Sequence, residues 1–118
     1  MGIDIKMDCL FCKMIAGKIP VNSLYEDEKV LAFYDIDPQA PVHFLVIPKQ
    51  HIACAGEIQT ENMEVVGHIF MVIAKLAQQL QLENGYRVVT NSGEDAGQSV
   101  HHLHFHVLAK RKLSWPPG

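Results

Sequence analysis

The sequence predicts an α+β domain in which one long helix packs on an antiparallel five-stranded sheet. Apolar side chains recur at helical spacing across residues 63–80, whereas the other apolar segments are short and bounded by turn residues. Of the 118 residues, 48% are hydrophobic, which is enough for one core. We therefore expect a single domain over residues 1–118.

The first half of the chain is predicted to hold a short N-terminal helix and three strands. The helix covers residues 9–16 and ends at Gly17, before the break at Pro20. Strands follow at residues 23–26 and 29–34, then at 42–47 after a loop with two prolines. Pro48 ends the third strand because it has no N–H to donate.

The long helix is predicted to begin after Thr60 as its N-cap and to end before Gly85. Its apolar residues cover roughly 160°, more than the ~100° needed to rest on one sheet. The simplest explanation is packing against the same helix of a second subunit, the alternative being a crowded single core. A fourth strand is expected at residues 86–91, followed by a polar loop at residues 92–99.

Three histidines alternate with apolar residues in the last predicted strand, residues 102–108. His102, His104 and His106 then share one face of the strand, and the residues between them face the core. Imidazole titrates near neutral pH and serves as base, acid, nucleophile or metal ligand. The outer pair lies roughly 13 Å apart along an ideal strand, so all three cannot readily bind one metal ion.

The charge and the cysteine content limit which classes of partner and which cellular compartment are expected. Thirteen acidic residues exceed ten basic ones, which argues against a nucleic-acid partner. No segment has the length of a membrane span, and residues 1–6 have no apolar secretory core. An odd cysteine count without such a signal favours a reducing cytoplasm over a disulfide framework.

The loop before the histidines is a candidate oxyanion cradle. Gly97 permits close backbone approach to a ligand, and Gln98 and Ser99 can donate hydrogen bonds. The tripeptide is not a P-loop, since no lysine follows the glycine and a strand follows instead of a helix. By itself it also suits an ordinary turn.

Residues 97–108 resemble the signature of the histidine triad (HIT) family. Residues 33–36, 38–41 and 43–49 and the closing Trp-Pro-Pro-Gly are similar to its nucleoside phosphoramidate hydrolases. The resemblance implies a homodimer with a continuous sheet. It also implies hydrolysis of a purine nucleoside 5′-phosphoramidate, of AMP or GMP type, to the nucleotide and free amine.

The resemblance also assigns catalytic roles. His104 would attack the α-phosphorus and form a nucleotidyl-histidine, with its proton held on the far nitrogen by a backbone carbonyl. His106 would bind a non-bridging oxygen, and His43 would support the site from a neighbouring strand. Gln98 and Ser99 would contact phosphate, Ser99 near the leaving group. The catalytic set is therefore His104, His106, Ser99 and His43.

The nucleotide-binding set is implied in the same way. Asp35 would bind the ribose hydroxyls, and Asn91 and Gly97 would help to hold the nucleotide. The base would lie among Leu10, Phe11, Phe33 and Ile36, although each of these also suits a core position. Trp115 would reach the site of the partner subunit, or else anchor the tail.

Cys9 and Cys12 have the two-residue gap of a zinc hairpin, which supplies half a site. Resemblance to microbial members of the family implies that His51 and His102 complete it. Such a Cys₂His₂ site has no open position, so zinc would be structural and catalysis would need no cofactor. The alternative is two reduced, buried cysteines.

Ala109 and Lys110 stand where the phosphoramidase branch usually has two glycines. Lys110 near the active site would favour an acidic leaving group. Two other functions remain open at this point: hydrolysis of dinucleoside polyphosphates, and a zinc-stabilised nucleotide-binding regulatory module.

Overall fold

The computed structural model describes residues 8–118, which form one antiparallel sheet with a helix on each face. The expectation for residues 1–6 lies outside this range. The sheet order is β1-β2-β3-β5-β4, and the α+β prediction is confirmed. The strands are β1 (Ser23–Glu26), β2 (Val30–Tyr34), β3 (Val42–Pro48), β4 (Tyr86–Val89) and β5 (Phe105–Ala109). The helices are α1 (Leu10–Ile15) and α2 (Met63–Gln79), with a 3-10 turn at Ala55–Glu57.

The central strand β3 divides the hydrophobic core in two. Phe44 and Val46 belong to the hydrophobic cluster between the sheet and α2, whereas Leu45 and Ile47 belong to the cluster on the α1 face of the sheet. This division follows from the two-residue period of a strand, which sends successive side chains to opposite faces. The longer helix therefore closes one face, and the opposite face is left to α1 and the histidines.

The histidine segment departs from the predicted strand, because regular pairing begins only at Phe105. Just before it, the N–H of Leu103 donates to the carbonyl of Ile52 at 2.6 Å. Leu103, Phe105 and Val107 still enter the core on the α2 face, so the alternation survives without a continuous strand ladder. Burial of the apolar partners, rather than strand pairing, holds His102 and His104 on the other face, whereas His106 lies within β5.

Both predicted ends of α2 are wrong. Asn62, rather than Thr60, is the N-cap, and the helix ends at Gln79, well before Gly85. Gln81 takes the left-handed conformation, with φ of 58°, and its N–H donates to the carbonyl of Gln78. The next N–H, from Leu82, donates to Ala77, and the two side chains pack together. This Schellman motif ends the helix without a glycine, because the contact between Leu82 and Ala77 offsets the strain of the left-handed backbone at Gln81.

Part of the apolar surface of α2 faces solvent. Met63 is 56% exposed and Phe70 is 46% exposed, and Gly67 and Ala74 lie on the same side of the helix. The sheet therefore covers only part of the apolar stripe, and the crowded-core alternative does not describe this chain. No helix within residues 8–118 is long and apolar enough to cross a membrane.

Asp27 ties α2 to the turn between β1 and β2. Its Oδ1 accepts the N–H groups of Lys29 and Val30 at 2.8 and 2.9 Å. Its Oδ2 accepts the Tyr25 hydroxyl at 2.8 Å and lies 2.6 Å from His68 Nε2 on α2. Burial alone would raise the pKa of Asp27, but these hydrogen bonds together lower it well below its usual value.

We expect Asp27→Asn to lower the free energy of unfolding by about 1–3 kcal/mol at pH 7, because charge-assisted hydrogen bonds are lost. Because folding lowers the pKa of Asp27, the ionised carboxylate stabilises the folded state at any pH above the pKa of Asp27 in the unfolded chain. The difference between variant and wild type should therefore shrink as the pH falls below about 4. Urea denaturation across pH measures this, with Glu28→Gln at the exposed neighbouring position as the control. Equal loss in both variants would contradict the role of Asp27.

Candidate functional site

A cavity of about 350 Å³ lies on the face of the sheet that carries α1. It is bounded by α1, β2, β3, β5 and the loop that precedes the histidines. Eight of the predicted site residues line it: Leu10, Phe11, Phe33, Asp35, Ile36, Ser99, His104 and His106. The fold thus brings both proposed phosphate-handling histidines and all four proposed base contacts to one cavity.

Sequence reasoning missed seven lining residues: Met14, Pro20, Val21, Asn22, Tyr34, Leu45 and Val100. Leu45 had a usable signal, because it shares the parity of His43 on β3. Pro20, Val21 and Asn22 had none, since they lie in the loop between α1 and β1 and reach the cavity only through the tertiary fold.

His43, Asn91, Gly97, Gln98 and Trp115 do not line the cavity. Gln98 is engaged within its own loop rather than directed at a ligand. Its Oε1 accepts the Gly93 N–H at 2.9 Å, and its Nε2 donates to the carbonyls of Ala53 and Val100 at 2.8 and 3.0 Å. Trp115 is 81% exposed in the C-terminal tail.

The ring of His104 has one nitrogen committed to the backbone. Its Nδ1 lies 2.7 Å from the carbonyl oxygen of His102, which can only accept, so Nδ1 carries the proton. Burial lowers the pKa of His104, which favours the neutral ring. The expected carbonyl partner is confirmed, and Nε2 is left with its lone pair.

Two contacts hold His104 in place. The Thr90 hydroxyl donates to the His104 carbonyl at 2.8 Å, a contact that no sequence pattern indicated. Phe11 meets the imidazole edge-on, with ring centroids 5.1 Å apart, and also packs against Phe33 at 5.6 Å. Because the backbone carbonyl is bonded and one side of the ring is packed, His104 loses little orientational freedom when it reacts.

His43 fixes the tautomer of His106. The Gln39 backbone N–H donates to His43 Nδ1 at 3.0 Å, so neutral His43 carries its proton on Nε2. That nitrogen lies 2.9 Å from His106 Nδ1 and donates to it. The proton of neutral His106 therefore sits on Nε2. Burial lowers the pKa of His43, and lowers that of His106 to about 4, so both rings are neutral at pH 7.

Asp35 faces this histidine pair. Its Oδ2 lies 3.4 Å from His43 Nε2 and 3.9 Å from His106 Nδ1, and its Oδ1 accepts the Asp37 N–H at 2.8 Å. The carboxylate favours positive charge on both rings and partly opposes the effect of burial. The imidazoles of His104 and His106 are 5.1 Å apart, closer than successive same-face positions on an ideal strand.

The second predicted cluster also assembles. One ligand atom from each of Cys9, Cys12, His51 and His102 lies within 4.8 Å of the others. Cys9 Sγ is 3.3 Å from His102 Nδ1, and Cys12 Sγ is 3.3 Å from His51 Nδ1. The four residues come from α1, the loop after β3 and the segment before β5, so only the fold brings them together.

The chemistry of this cluster fits a metal ion. The Nε2 of His102 donates to the Pro48 carbonyl at 2.8 Å, which leaves the Nδ1 lone pair directed at the thiols. Such an outer hydrogen bond is typical of a ligating histidine. Burial lowers the pKa of His102 to about 4, which keeps it in the neutral form that binds metal. Two thiols and two imidazoles can therefore hold a metal ion here.

Lys110 does not line the candidate site, contrary to the expectation that it lies near the active site. It borders a different cleft, of about 590 Å³, and its Nζ donates to the Gln81 carbonyl at 2.9 Å just after α2. Its φ of 72° is in the left-handed region that favours glycine. The lysine therefore occupies a glycine-like turn position and bonds to the turn that follows α2.

Comparisons with known proteins agree with this fold and with the position of the histidines. A family model described as HIT domain matches residues 16–113. An uncharacterized HIT-like protein of Synechococcus elongatus is 49% identical over 111 residues, which cover 94% of this chain and 97% of the relative.

Solved structures extend the comparison. A HIT family hydrolase from Legionella pneumophila superimposes with a TM-score of 0.92 at 46% identity, covering 94% of this chain and all of the other. A histidine triad nucleotide-binding protein from Candida albicans gives a TM-score of 0.80 at 36% identity, covering 92% and 81%. With the family model matched across most of its length, this chain belongs to the HIT domain family.

Proposed function

We propose that this protein hydrolyses purine nucleoside 5′-phosphoramidates through a covalent intermediate on His104. The observation that carries the proposal is the neutral His104 ring on the cavity wall, with Nδ1 committed to a carbonyl and Nε2 left as nucleophile. The names of the Legionella hydrolase and the Candida nucleotide-binding protein support nucleotide hydrolysis in general terms.

The reaction proceeds in two displacements at phosphorus. His104 Nε2 attacks the α-phosphorus, and a P–N bond to the histidine forms. The substrate P–N bond breaks as the amine takes up a proton from solvent and leaves. Water then attacks the same phosphorus, and the bond between phosphorus and His104 Nε2 breaks. This step releases the nucleoside monophosphate and a proton, and it restores neutral His104. Dividing one difficult step into two is the advantage of covalent catalysis.

His106 stabilises the charge that develops on phosphate. Because His43 donates to its Nδ1, the Nε2–H of His106 is the donor for a non-bridging oxygen. Ser99, on the same cavity wall, supplies a hydroxyl near the leaving amine. Gln98 acts on phosphate through the loop that it braces, rather than through its side-chain amide.

The apolar half of the cavity receives the base. Leu10, Phe11, Phe33 and Ile36 offer the aromatic and aliphatic surface that a flat heterocycle needs. The carboxylate of Asp35 provides acceptors for the ribose hydroxyls at the boundary between this surface and the histidines. Asn91 and Gly97, beyond the cavity wall, hold the nucleotide indirectly through the adjoining loop.

We expect His104→Ala to lower kcat for an adenosine phosphoramidate by at least about 10³-fold, because the nucleophile is lost. The affinity for AMP should stay within about threefold, since the apolar walls remain. Steady-state kinetics and calorimetric titration measure the two effects.

His101→Gln is the matched control, because His101 is an exposed histidine outside the cavity wall. Diadenosine tetraphosphate serves as the competing substrate. Near-wild-type turnover by His104→Ala would refute the nucleophile, and a higher kcat/KM for the dinucleotide would refute the substrate class.

We also propose that the cysteine and histidine cluster holds a structural zinc ion. Two thiolates and two imidazoles are the usual donor set of a closed, four-coordinate zinc site. The three cysteines of the chain, all within the described residues, form no disulfide, which suits the reducing cytoplasm that we propose as the compartment.

Protein purified without chelator should contain about one zinc per chain by elemental analysis. Cys12→Ser should lose the metal because a thiolate ligand is gone. Cys54→Ser should retain it, since Cys54 lies outside the cluster. A wild-type content below about 0.2 zinc per chain would contradict the proposal.

A homodimer with a continuous sheet is the proposed assembly. Strand β4 is an edge strand, paired on one side with β5, and the apolar face of α2 with Met63, Gly67 and Phe70 is uncovered within one chain. A second copy would cover the helix face and pair the edge strand. The exposed tail with Trp115 would then reach the site of the partner subunit.

Gly67→Arg is expected to convert a dimer into a monomer, as measured by sedimentation velocity at micromolar concentration. Nothing lies within 4 Å of a Cβ placed at Gly67, so the isolated chain tolerates the side chain. Helix propensity even improves, because glycine is about 0.8–1 kcal/mol less favourable than alanine and arginine ranks close to alanine. Gln79→Arg, at another exposed helix position, should remain dimeric. A monomeric wild type would contradict the assembly.

A further inference from the structure

We infer that the cluster of Cys9, Cys12, His51 and His102 is a positioning device for the catalytic site. It fixes both the carbonyl that orients His104 and the short helix that walls the base pocket. The inference rests on the proposed function and goes beyond a merely structural role for the metal.

The first connection runs through one residue, His102. Its buried side chain has Nδ1 at 3.3 Å from Cys9 Sγ and 3.6 Å from Cys12 Sγ. Its own backbone carbonyl accepts the Nδ1–H of His104 at 2.7 Å. A ligand residue and the partner of the nucleophile are therefore the same residue. Displacement of the His102 ring shifts the carbonyl that selects the His104 tautomer.

The second connection runs through α1. This helix has six residues, too few to be stable by itself, so its position depends on its anchors. Cys9 is its N-cap, with Sγ accepting the Cys12 N–H at 3.3 Å, and Cys12 lies in its first turn. Between them, Phe11 packs edge-on against His104 and lines the cavity with Leu10 and Met14.

The two connections predict separable kinetic effects. When the cluster is lost, the His102 ring is no longer held and the His104 ring is freed. This lowers kcat, because a nucleophile in the wrong tautomer does not attack. Loss of the cluster also releases α1, which moves Leu10 and Phe11 and weakens nucleotide binding. A metal that served only global stability would leave both properties of the folded protein unchanged.

The experiment compares wild type, Cys12→Ser and the matched control Cys54→Ser, each tested for zinc content and thermal melting. Long-range proton–nitrogen NMR at pH 7.5 reports the tautomer of His104, assigned by comparison with His104→Gln. Calorimetry with AMP reports pocket affinity. Adenosine phosphoramidate kinetics separate kcat from KM.

We expect zinc-free Cys12→Ser to show a mixture of His104 tautomers in place of one. Its AMP affinity should fall about fivefold or more, and its kcat about 10- to 100-fold. Cys54→Ser should match wild type. Folded, zinc-free Cys12→Ser with a single His104 tautomer and wild-type AMP affinity would overturn the inference.

If Cys12→Ser does not fold, chelation of the wild-type protein followed by addition of Zn²⁺ replaces it. The tautomer mixture and weaker AMP binding should appear on removal and reverse on addition, whereas no change would overturn the inference. The NMR readout needs no turnover. Inactive wild-type protein with a zinc-dependent His104 tautomer would refute the proposed function and still support the positioning role.

Discussion

The constraint on which this site depends is that each of three buried imidazoles has one ring nitrogen committed to the backbone. His102 donates to the Pro48 carbonyl, His104 donates to the His102 carbonyl, and His43 accepts the Gln39 N–H. Carbonyls only accept and amide N–H groups only donate, so each partner decides which nitrogen keeps a lone pair. The tautomers are thus set by the fold before any ligand arrives.

This constraint separates residues that look equivalent in the chain. The lone pair of His102 faces two thiols and that of His104 borders the cavity, while His106 receives a proton donor from His43. Burial lowers the pKa of all four rings, so these assignments hold for neutral imidazoles near pH 7. One repeated side chain is therefore available for three proposed roles: metal ligand, nucleophile and hydrogen-bond donor.

The irregular backbone before β5 is what permits this division. Strand pairing begins at Phe105, and the His102 carbonyl accepts from an imidazole. Leu103 nonetheless enters the α2 core, and its N–H is satisfied by the Ile52 carbonyl. The Leu103 N–H thus has a backbone partner, while the His102 carbonyl is left to accept from the His104 side chain.

Local patterns in the sequence determined the sheet, the helices and the face on which each histidine lies, because periodicity depends only on neighbouring residues. The boundaries of α2 escaped prediction because Gln81, not a glycine, takes the left-handed position, supported by the contact of Leu82 with Ala77. The resemblance to a family implied most of the site residues. It did not show that the Gln98 side chain makes its hydrogen bonds to the backbone around its own loop.

Only the tertiary structure decided the distances. Cys12 and His102 are 90 residues apart in the chain, and so are within reach of each other only after α1 packs on the sheet. The same packing brings Phe11 against His104. Lys110 follows β5 and lies in a separate cleft near the end of α2. By itself the sequence determined which groups are present and which face they share. The fold decided which partner each nitrogen meets, because hydrogen bonding and metal binding depend on separations of about 3 Å that no local pattern encodes.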